Sequence, residues 1–300
     1  MAPAATATTP AHVDPIMLKA ANAAAAHGSD TTPDAPKIDL DVAQLFVADK
    51  AIRDSAAQAL VTLAETDGPQ ALATLGLPAV LVKSLGDKKS PAAREGAAST
   101  IRTLAKGAAS IALEIVFVQS GLLSALLDTF ADKIPAVRTA AIGAVRDVVK
   151  AQSPWATTLL LPPLLHQVKT AGKWQVKTGA LEILNHVIKT APAQTARAMP
   201  DIVPILAEAI WDTKAEVKKA ARDTLTKATA LVSNKDIERF IPALISALIN
   251  PVEEVPSTIQ LLSATTFVSE VDAPTLSLMV PLLARGLNEK LTATKRKVAV

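Results

Sequence analysis

The chain has 300 residues, 50% of them hydrophobic but only 3% aromatic, with no Tyr and no Cys. This apolar content excludes wholesale disorder, eleven glycines and few aromatics exclude an all-β sandwich or barrel, and the missing thiols exclude disulfides, thiolate zinc sites, iron–sulfur clusters and cysteine nucleophiles. Lys and Arg outnumber Asp and Glu by only 31 to 28, too slight an excess to mark a nucleic-acid domain by charge alone.

The charge is unevenly spread. Residues 1–40 carry two basic and four acidic side chains, residues 41–200 carry 17 and 12, and residues 201–300 carry 12 of each. In chain order, residues 1–38 come first; they are rich in Ala, Thr and Pro without a sustained apolar stripe and read as a disordered tail. Met1 to His12 has neither the basic nor the apolar region of a secretory signal, and no Arg precedes Arg53, unlike an Arg-rich transit peptide.

From residue 39 onward three marks recur in step. Asp49, Asp87, Asp132, Gly172, Asp212, Asn250 and Asn288 stand at predicted turns, 38 to 45 residues apart. Basic residues follow them at Arg53, Arg94, Arg138, Lys177, Lys218 and Arg296, with Thr258 in the sixth place. Pro78, Gly121, Pro162, Pro204, Pro242 and Pro281 precede apolar runs. The period is that of HEAT repeats, and it predicts an all-α, right-handed α-solenoid of about six and a half helical hairpins over residues 39–300.

Residues 111–130 form the most apolar stretch; Glu114, Gln119, Ser120, Gly121 and Asp128 interrupt it, so it reads as a buried helix and not a membrane span. Residues 197–232 show the repeating unit. Ile202, Ile205, Leu206, Ala209 and Ile210 fall on one face of a first helix, A. Val217, Ala220, Ala221, Leu225 and Ala228 line the inner face of a second, B, whose lysines and Arg222 face away. Pro204, Pro242 and Pro281 are placed inside A helices, where a missing N–H bends the helix. Turn carboxylates and the basic residues after them (Asp49, Arg53, Asp87, Arg94, Asp132, Arg138, Asp212 and Lys218) are expected to form an inter-repeat ladder that sets register. The last hairpin has a full A helix over residues 272–287. Its B helix starts near Ala293 and reaches the apolar Val298-Ala299-Val300, an unfinished repeat of the kind expected in a fragment or a truncated gene product.

Catalytic chemistry is not indicated. The glycines never form Gly-x-Gly, and neither a Walker A loop nor a Gly-x-Ser-x-Gly elbow occurs. His12 and His27 lie in the tail, while His166 and His186 fall on the A and B helices of one repeat without metal-ligand spacing. The acidic doublet Glu253-Glu254 is read as a solvated turn after Pro251. Trp155 remains a lone aromatic, but Trp174 and Trp211 stand beside lysines at successive turns, either sealing the seam between repeats or stacking on a partner. Lysine clusters at Lys88-Lys89, Lys169/Lys173/Lys177, Lys214/Lys218/Lys219/Arg222 and Lys295-Arg296-Lys297 are each a solvated face when taken singly. Repeated along one edge, they would build a stripe able to follow a phosphate backbone.

Longer runs carry a family resemblance. Lys173-Trp174-Gln175, Trp211-Asp212-Thr213-Lys214, Glu216-Val217-Lys218, Asn234-Lys235-Asp236-Ile237-Glu238-Arg239-Phe240-Ile241-Pro242, Met279-Val280-Pro281-Leu282-Leu283 and Arg285-Gly286-Leu287-Asn288-Glu289 resemble the N-terminal HEAT region of fungal translation elongation factor 3. The match is dense from about residue 173 to 300 and diffuse before it. The resemblance implies a cytoplasmic, ribosome-dependent ATPase of the ABC type that assists late translocation and exit-site tRNA release. Its HEAT part touches RNA and proteins of the small ribosomal subunit. No position here matches an ATPase residue, so ATP is expected only on cassettes outside this chain, which needs no cofactor and is not itself an enzyme. The expected partner is the ribosome, with no membrane and no small-molecule substrate, and a monomer is expected. Candidate contacts are Lys173, Trp174, Lys177, Lys214, Lys218, Lys219, Lys235, Arg239, Lys295, Arg296 and Lys297. The alternative is a protein–protein scaffold, an importin- or adaptor-like module or a ribosome-associated paralogue, whose B helices form a concave face for an acidic peptide.

Overall fold

The computed structural model describes residues 41–110 and 121–299. The tail read into residues 1–38, and residues 111–120 of the apolar stretch, lie outside the described residues. Among those residues every regular element is helical. A short 3-10 turn, Val42–Phe46, leads into α1 (Lys50–Asp67), followed by α2 (Pro69–Thr74), α3 (Leu77–Leu85), α4 (Pro91–Gly107), α5 (Leu122–Asp128) and α6 (Pro135–Ala151). The chain continues through α7 (Thr157–Thr170), α8 (Trp174–Thr190), α9 (Pro192–Arg197), α10 (Met199–Ala209) and α11 (Ala215–Thr229). It ends with α12 (Lys235–Glu238), α13 (Ile241–Ile249), α14 (Pro251–Ser263), α15 (Ala273–Leu287) and α16 (Thr292–Ala299).

These helices pair as A–B hairpins in the expected order: α3–α4, α5–α6, α7–α8, α10–α11, α13–α14 and α15–α16. Their starts follow local chemistry. The Asp49, Ser90 and Asp272 side chains accept from backbone amides at the heads of α1, α4 and α15. Gly76 and Gly121 enter α3 and α5 with φ of 60° and 88°, a left-handed conformation that glycine adopts at no steric cost. The Ala-rich composition is spent where B helices meet: Ala97, Ala141, Ala144, Ala180, Ala221 and Ala228 are fully buried, and their small side chains let helix axes approach closely. Val217, Leu225, Ile202 and Leu206 are fully buried as the spacing requires, whereas Ile205 and Ala220 are half-buried.

From α1 to α11 the stack is regular. B helices α1, α4, α6, α8 and α11 pack in sequence, as do A helices α3, α5, α7 and α10. The order then changes. The next neighbour of α10 is not α13 but α15, from one hairpin further on, while α13 lies against α14, α15 and the edge of α11. Residues 264–272, which link α14 to α15, are long enough to carry α15 back to α10. Asp236 and Asn234 hold this segment. Asp236 Oδ2 accepts from the Val268 and Ser269 amides at 2.9 and 2.6 Å, and Asn234 Nδ2 donates to the Glu270 carbonyl at 3.0 Å.

Two expectations need correction. Pro204 and Pro281 lie inside α10 and α15, but Pro242 is the second residue of α13, where the absent N–H has no helical partner to lose and no bend follows. Glu253 and Glu254 are not in a turn; they occupy the first turn of α14, where carboxylates favour the positive end of the helix.

Candidate functional site: a basic rim along the hairpin turns

Four of the turns are organised by a carboxylate folded inward. The Oδ1 atoms of Asp49, Asp87, Asp132 and Asp212 accept from the amide two residues on, at 2.8, 2.8, 2.8 and 2.9 Å. Three arginines brace their own turn from the B helix. Arg53 Nη1 donates to the Val47 and Ala48 carbonyls, Arg94 Nη1 to Asp87, and Arg138 Nη1 to Asp132 and Lys133.

Two of the ion pairs cross between repeats at the turns: Arg94 grips Asp132 with Nε and Nη2 at 2.6 and 3.2 Å, and Lys177 Nζ meets Asp212 at 2.7 Å. The expected ladder departs from this pattern at three residues. Arg53 pairs with Glu95 on α4 at 3.2 Å, leaving Asp87 to cap its own turn. Arg138 faces a turn that carries Gly172 where its neighbours carry a carboxylate, and so bonds only backbone oxygens. Lys218 makes no ion pair among the described residues, the next turn offering Asn250. Burial pushes the Asp132 carboxyl up, but the Arg94 hydrogen bond, the Ile134 amide and the charges of Arg94 and Arg138 outweigh it and hold the group below its usual range. The Lys177 hydrogen bond and the Lys214 amide hold Asp212 low as well.

With the carboxylates engaged inside, the lysines beside them remain outside. Lys88, Lys133, Lys173 and Lys214 are exposed, and their ammonium groups have no partner among the described residues. Lys88, Lys133 and Lys173 line one cleft of about 430 Å³ together with Arg94 and Asp132. Lys173 and Lys214 line the next, about 290 Å³, with Trp174, Lys177 and Asp212. Thus Lys173, Trp174, Lys177 and Lys214, expected as contacts, do converge. Trp174 is half-buried against the core and Lys177 is taken by Asp212, which leaves the two end lysines free. Lys219 is exposed beyond them on α11.

The other expected contacts lie elsewhere. Lys235 pairs with Glu238 at 3.3 Å on α12, and the Arg239 guanidinium sits 4.6 Å from the Phe240 ring, both in the connection between hairpins. Lys295 and Arg296 are exposed on α16, where Lys297 donates to Gln260 at 2.9 Å. Trp211 is 57% exposed at the mouth of a cleft between α10, α13, α14 and α15. Trp155, 65% exposed, lies under Arg197 at 5.8 Å.

Sequence reasoning missed a second ladder, farther along the B helices. Arg102 meets Asp147 at 2.7 Å, Arg146 meets Glu182, and Asn185 reaches Asp223 at 3.5 Å. The signal was present as polar residues 36 to 45 apart, the repeat spacing itself. Between α8 and α11 this ladder borders a groove of about 770 Å³ lined by Glu182, Asn185, His186, Lys189, Asp223 and Lys227. Burial and the Arg146 charge push the His186 imidazole down from its usual value. Among the described residues no group of three or more His, Asp or Glu could hold a metal, and no helix is long and apolar enough to cross a membrane.

Residues 53–225 match the family model described as EF3 N-terminal HEAT repeat, and residues 253–300 match Elongation factor 3/GNC1 HEAT repeat. Elongation factor 3 of Mycosarcoma maydis is 54% identical over 245 residues, 82% of this chain and 23% of that protein. Elongation factor 3B of Saccharomyces cerevisiae is 51% identical over 164 residues, 55% of this chain and 16% of that protein. The chain therefore spans less than a quarter of the length of these relatives. Among solved structures, Kap121p aligns with 95% of this chain and 27% of its own, at 18% identity and a TM-score of 0.43.

Proposed function

The chain belongs to the elongation factor 3 N-terminal HEAT-repeat family, and on that premise we propose that it docks a translation elongation factor onto the ribosome, chiefly onto RNA and proteins of the small subunit. The family match over residues 53–225 carries this reading. The unpaired lysines of the turn rim supply the physical means, because ammonium groups that displace counterions from phosphates bind without reading sequence. In this division of labour the chain supplies position, not chemistry. ATP hydrolysis, and the late translocation and exit-site tRNA release it assists, belong to cassettes in other parts of the longer protein. The role places the chain in the cytoplasm, and a single copy suffices for it.

Cosedimentation with purified fungal ribosomes tests the reading. Binding is expected to weaken steadily as salt rises, as phosphate contacts require. Absence of binding, or binding indifferent to salt, overturns it. The alternative, a scaffold that grips an acidic peptide on its B-helix face, meets a groove of mixed charge there, in which Glu182 pairs with Arg146 and Asp223 with Lys227, so no unopposed basic patch stands ready for such a ligand. Recovery of discrete proteins without ribosomal RNA in a pull-down is the result that favours it.

A further inference from the structure

We infer that the turn rim is a bounded phosphate track. It runs from Lys88 through Lys133 and Lys173 to Lys214, ends at the acidic head of α14, Glu253 and Glu254, and takes the backbone of ribosomal RNA as its ligand. This rests on the ribosome-docking reading and assigns that contact to one edge of the first hairpins.

Three observations lead to it. First, the rim is basic because of how its carboxylates are used, not because it lacks them. Asp87, Asp132 and Asp212 are turned in to cap amides, and the last two also neutralise Arg94 and Lys177. Asp128, which also lines the first cleft, meets Gln167 and forms no ion pair among the described residues, so the outward lysines keep an excess of positive charge. Second, the lysines are joined in space. Lys173 lines both the cleft it shares with Lys88 and Lys133 and the cleft it shares with Lys214, so two separate recesses form one path across successive hairpins. Third, the path meets like charge. Trp211, in the same turn as Lys214, shares a cleft with Pro251 and Val252 at the head of α14, and Glu253 and Glu254 follow them in its first turn, where a phosphate chain would be repelled.

RNA fits these clefts better than an acidic protein segment. A peptide gains most of its affinity from a large side chain buried in a pocket. Here Leu85 is already buried, Trp174 is packed against the core, and the other uncharged lining residues are Gly, Ala or Thr, with the polar Gln175. One ammonium per hairpin with nothing apolar to anchor to is suited to a polyanion held by charge.

The test uses the 300-residue chain, purified fungal ribosomes and protein-free small-subunit ribosomal RNA, each across a potassium chloride series. The combined variant Lys88→Gln/Lys133→Gln/Lys173→Gln/Lys214→Gln replaces surface side chains only, and circular dichroism checks its fold. Its slope of log affinity against log salt is expected to fall by about 3 to 4 on both ligands, roughly one per phosphate contact. Glu253→Lys/Glu254→Lys is expected to tighten binding and steepen the slope, because it lengthens the track. Lys295→Gln/Arg296→Gln/Lys297→Gln is expected to leave the slope within about one of its starting value. An unchanged slope for the lysine variant, while the unaltered chain still binds ribosomes, overturns the track and leaves docking standing. Loss confined to intact ribosomes, with none on naked RNA, reassigns the rim to an acidic ribosomal protein and overturns the RNA ligand. Failure of the unaltered chain to bind ribosomes overturns docking itself.

Discussion

The two ends of the described solenoid differ in how they are held. From α3 to α11 each helix packs on its counterpart one hairpin away, and arginine or lysine on one repeat reaches a carboxylate on the next. From α12 to α16 that order is lost: α10 takes α15 as its neighbour, and a nine-residue linker pinned by Asp236 carries the chain there. Val252 and Val268 are 84% and 86% exposed in this second region. The two family matches leave residues 226–252 between them, the stretch where the order changes. The lesson concerns what a repeat period encodes. Periodicity specifies the hairpin, which is local; which hairpin stacks on which depends on linker length and on what each exposed face finds to cover it.

Core substitutions should separate the regions most strongly. Phe130 is 1% exposed and fills the space beside Gly179, where an added Cβ would stand 2.2 Å from its ring. Phe130→Ala is expected to cost about 3–5 kcal/mol by urea denaturation, and Gly179→Ala about 1–3 kcal/mol, because the ring is enclosed and cannot step aside. The double variant should cost less than the sum of the two, the new methyl entering the space the ring has left. Gly286 is the counterpart in the second region. An added Cβ there meets Ile259 Cδ1 at 2.2 Å and Val298 Cγ2 at 2.7 Å, both movable side-chain ends. Gly286→Ala should therefore cost under about 1 kcal/mol, its strain offset by the better helix propensity of Ala. Equal penalties for Gly179→Ala and Gly286→Ala would erase the distinction.

Acid should act on both regions by different routes. Asp132 and Asp212 titrate below their ordinary value of 3.8 in the folded chain. Each lends stability that is fully present above that value and is lost as pH falls through the lower folded one. Asp132→Asn removes the pair with Arg94, both side chains nearly buried, and should cost about 1–3 kcal/mol at neutral pH while flattening the acid limb of the stability curve. Asp236 is also held low, first by the Ser269 amide and then by Val268, but it secures only a linker. Asp236→Ala should speed hydrogen exchange at the Val268 and Ser269 amides and leave α4, α6 and α8 as protected as before. Faster exchange throughout the first stack would show that the linker clamp supports the whole solenoid.

Much of the fold could be read from the residues, because hairpins rest on nearest-neighbour chemistry: Asp or Asn at the turn, proline in the first helical turn, and apolar side chains every third or fourth place. The one break in the basic series, Thr258, was also a true sign. Its side chain is 1% exposed within α14, the B helix of the displaced hairpin. The exchange of neighbours could not be read, since nothing local distinguishes an A helix that packs one hairpin on from one that packs two on. The site was half legible. Lys173 and Lys214 stood beside turn marks and do line one cleft. Lys133 went unremarked because a single lysine after Asp132 looks ordinary until its carboxylate neighbour is seen turned away. Lys235, Arg239 and the α16 cluster shared the charge but not the place.

The smallest effect bears on why the turn ladder lapses at Gly172. Arg138 is braced like Arg94 against its own turn, yet only Arg94 also holds a carboxylate of the next repeat. If the missing carboxylate is the whole cause, Gly172→Asp should supply it. The substitution is sterically free: a Cβ at this position meets nothing within 4 Å, and the backbone does not lie in the region reserved for glycine. An aspartate here could also cap an amide of its own turn, as Asp212 does for Lys214. The expected gain is only about 0.5–1.5 kcal/mol, a cap plus a partly solvated pair. Denaturation of Gly172→Asp, Arg138→Gln and the two combined would isolate the pair, since the cap alone survives without Arg138. The same change places a negative charge beside Lys173, so ribosome binding should weaken slightly as stability rises. A gain in stability with a gain in binding would mean that this turn does not face the phosphate backbone.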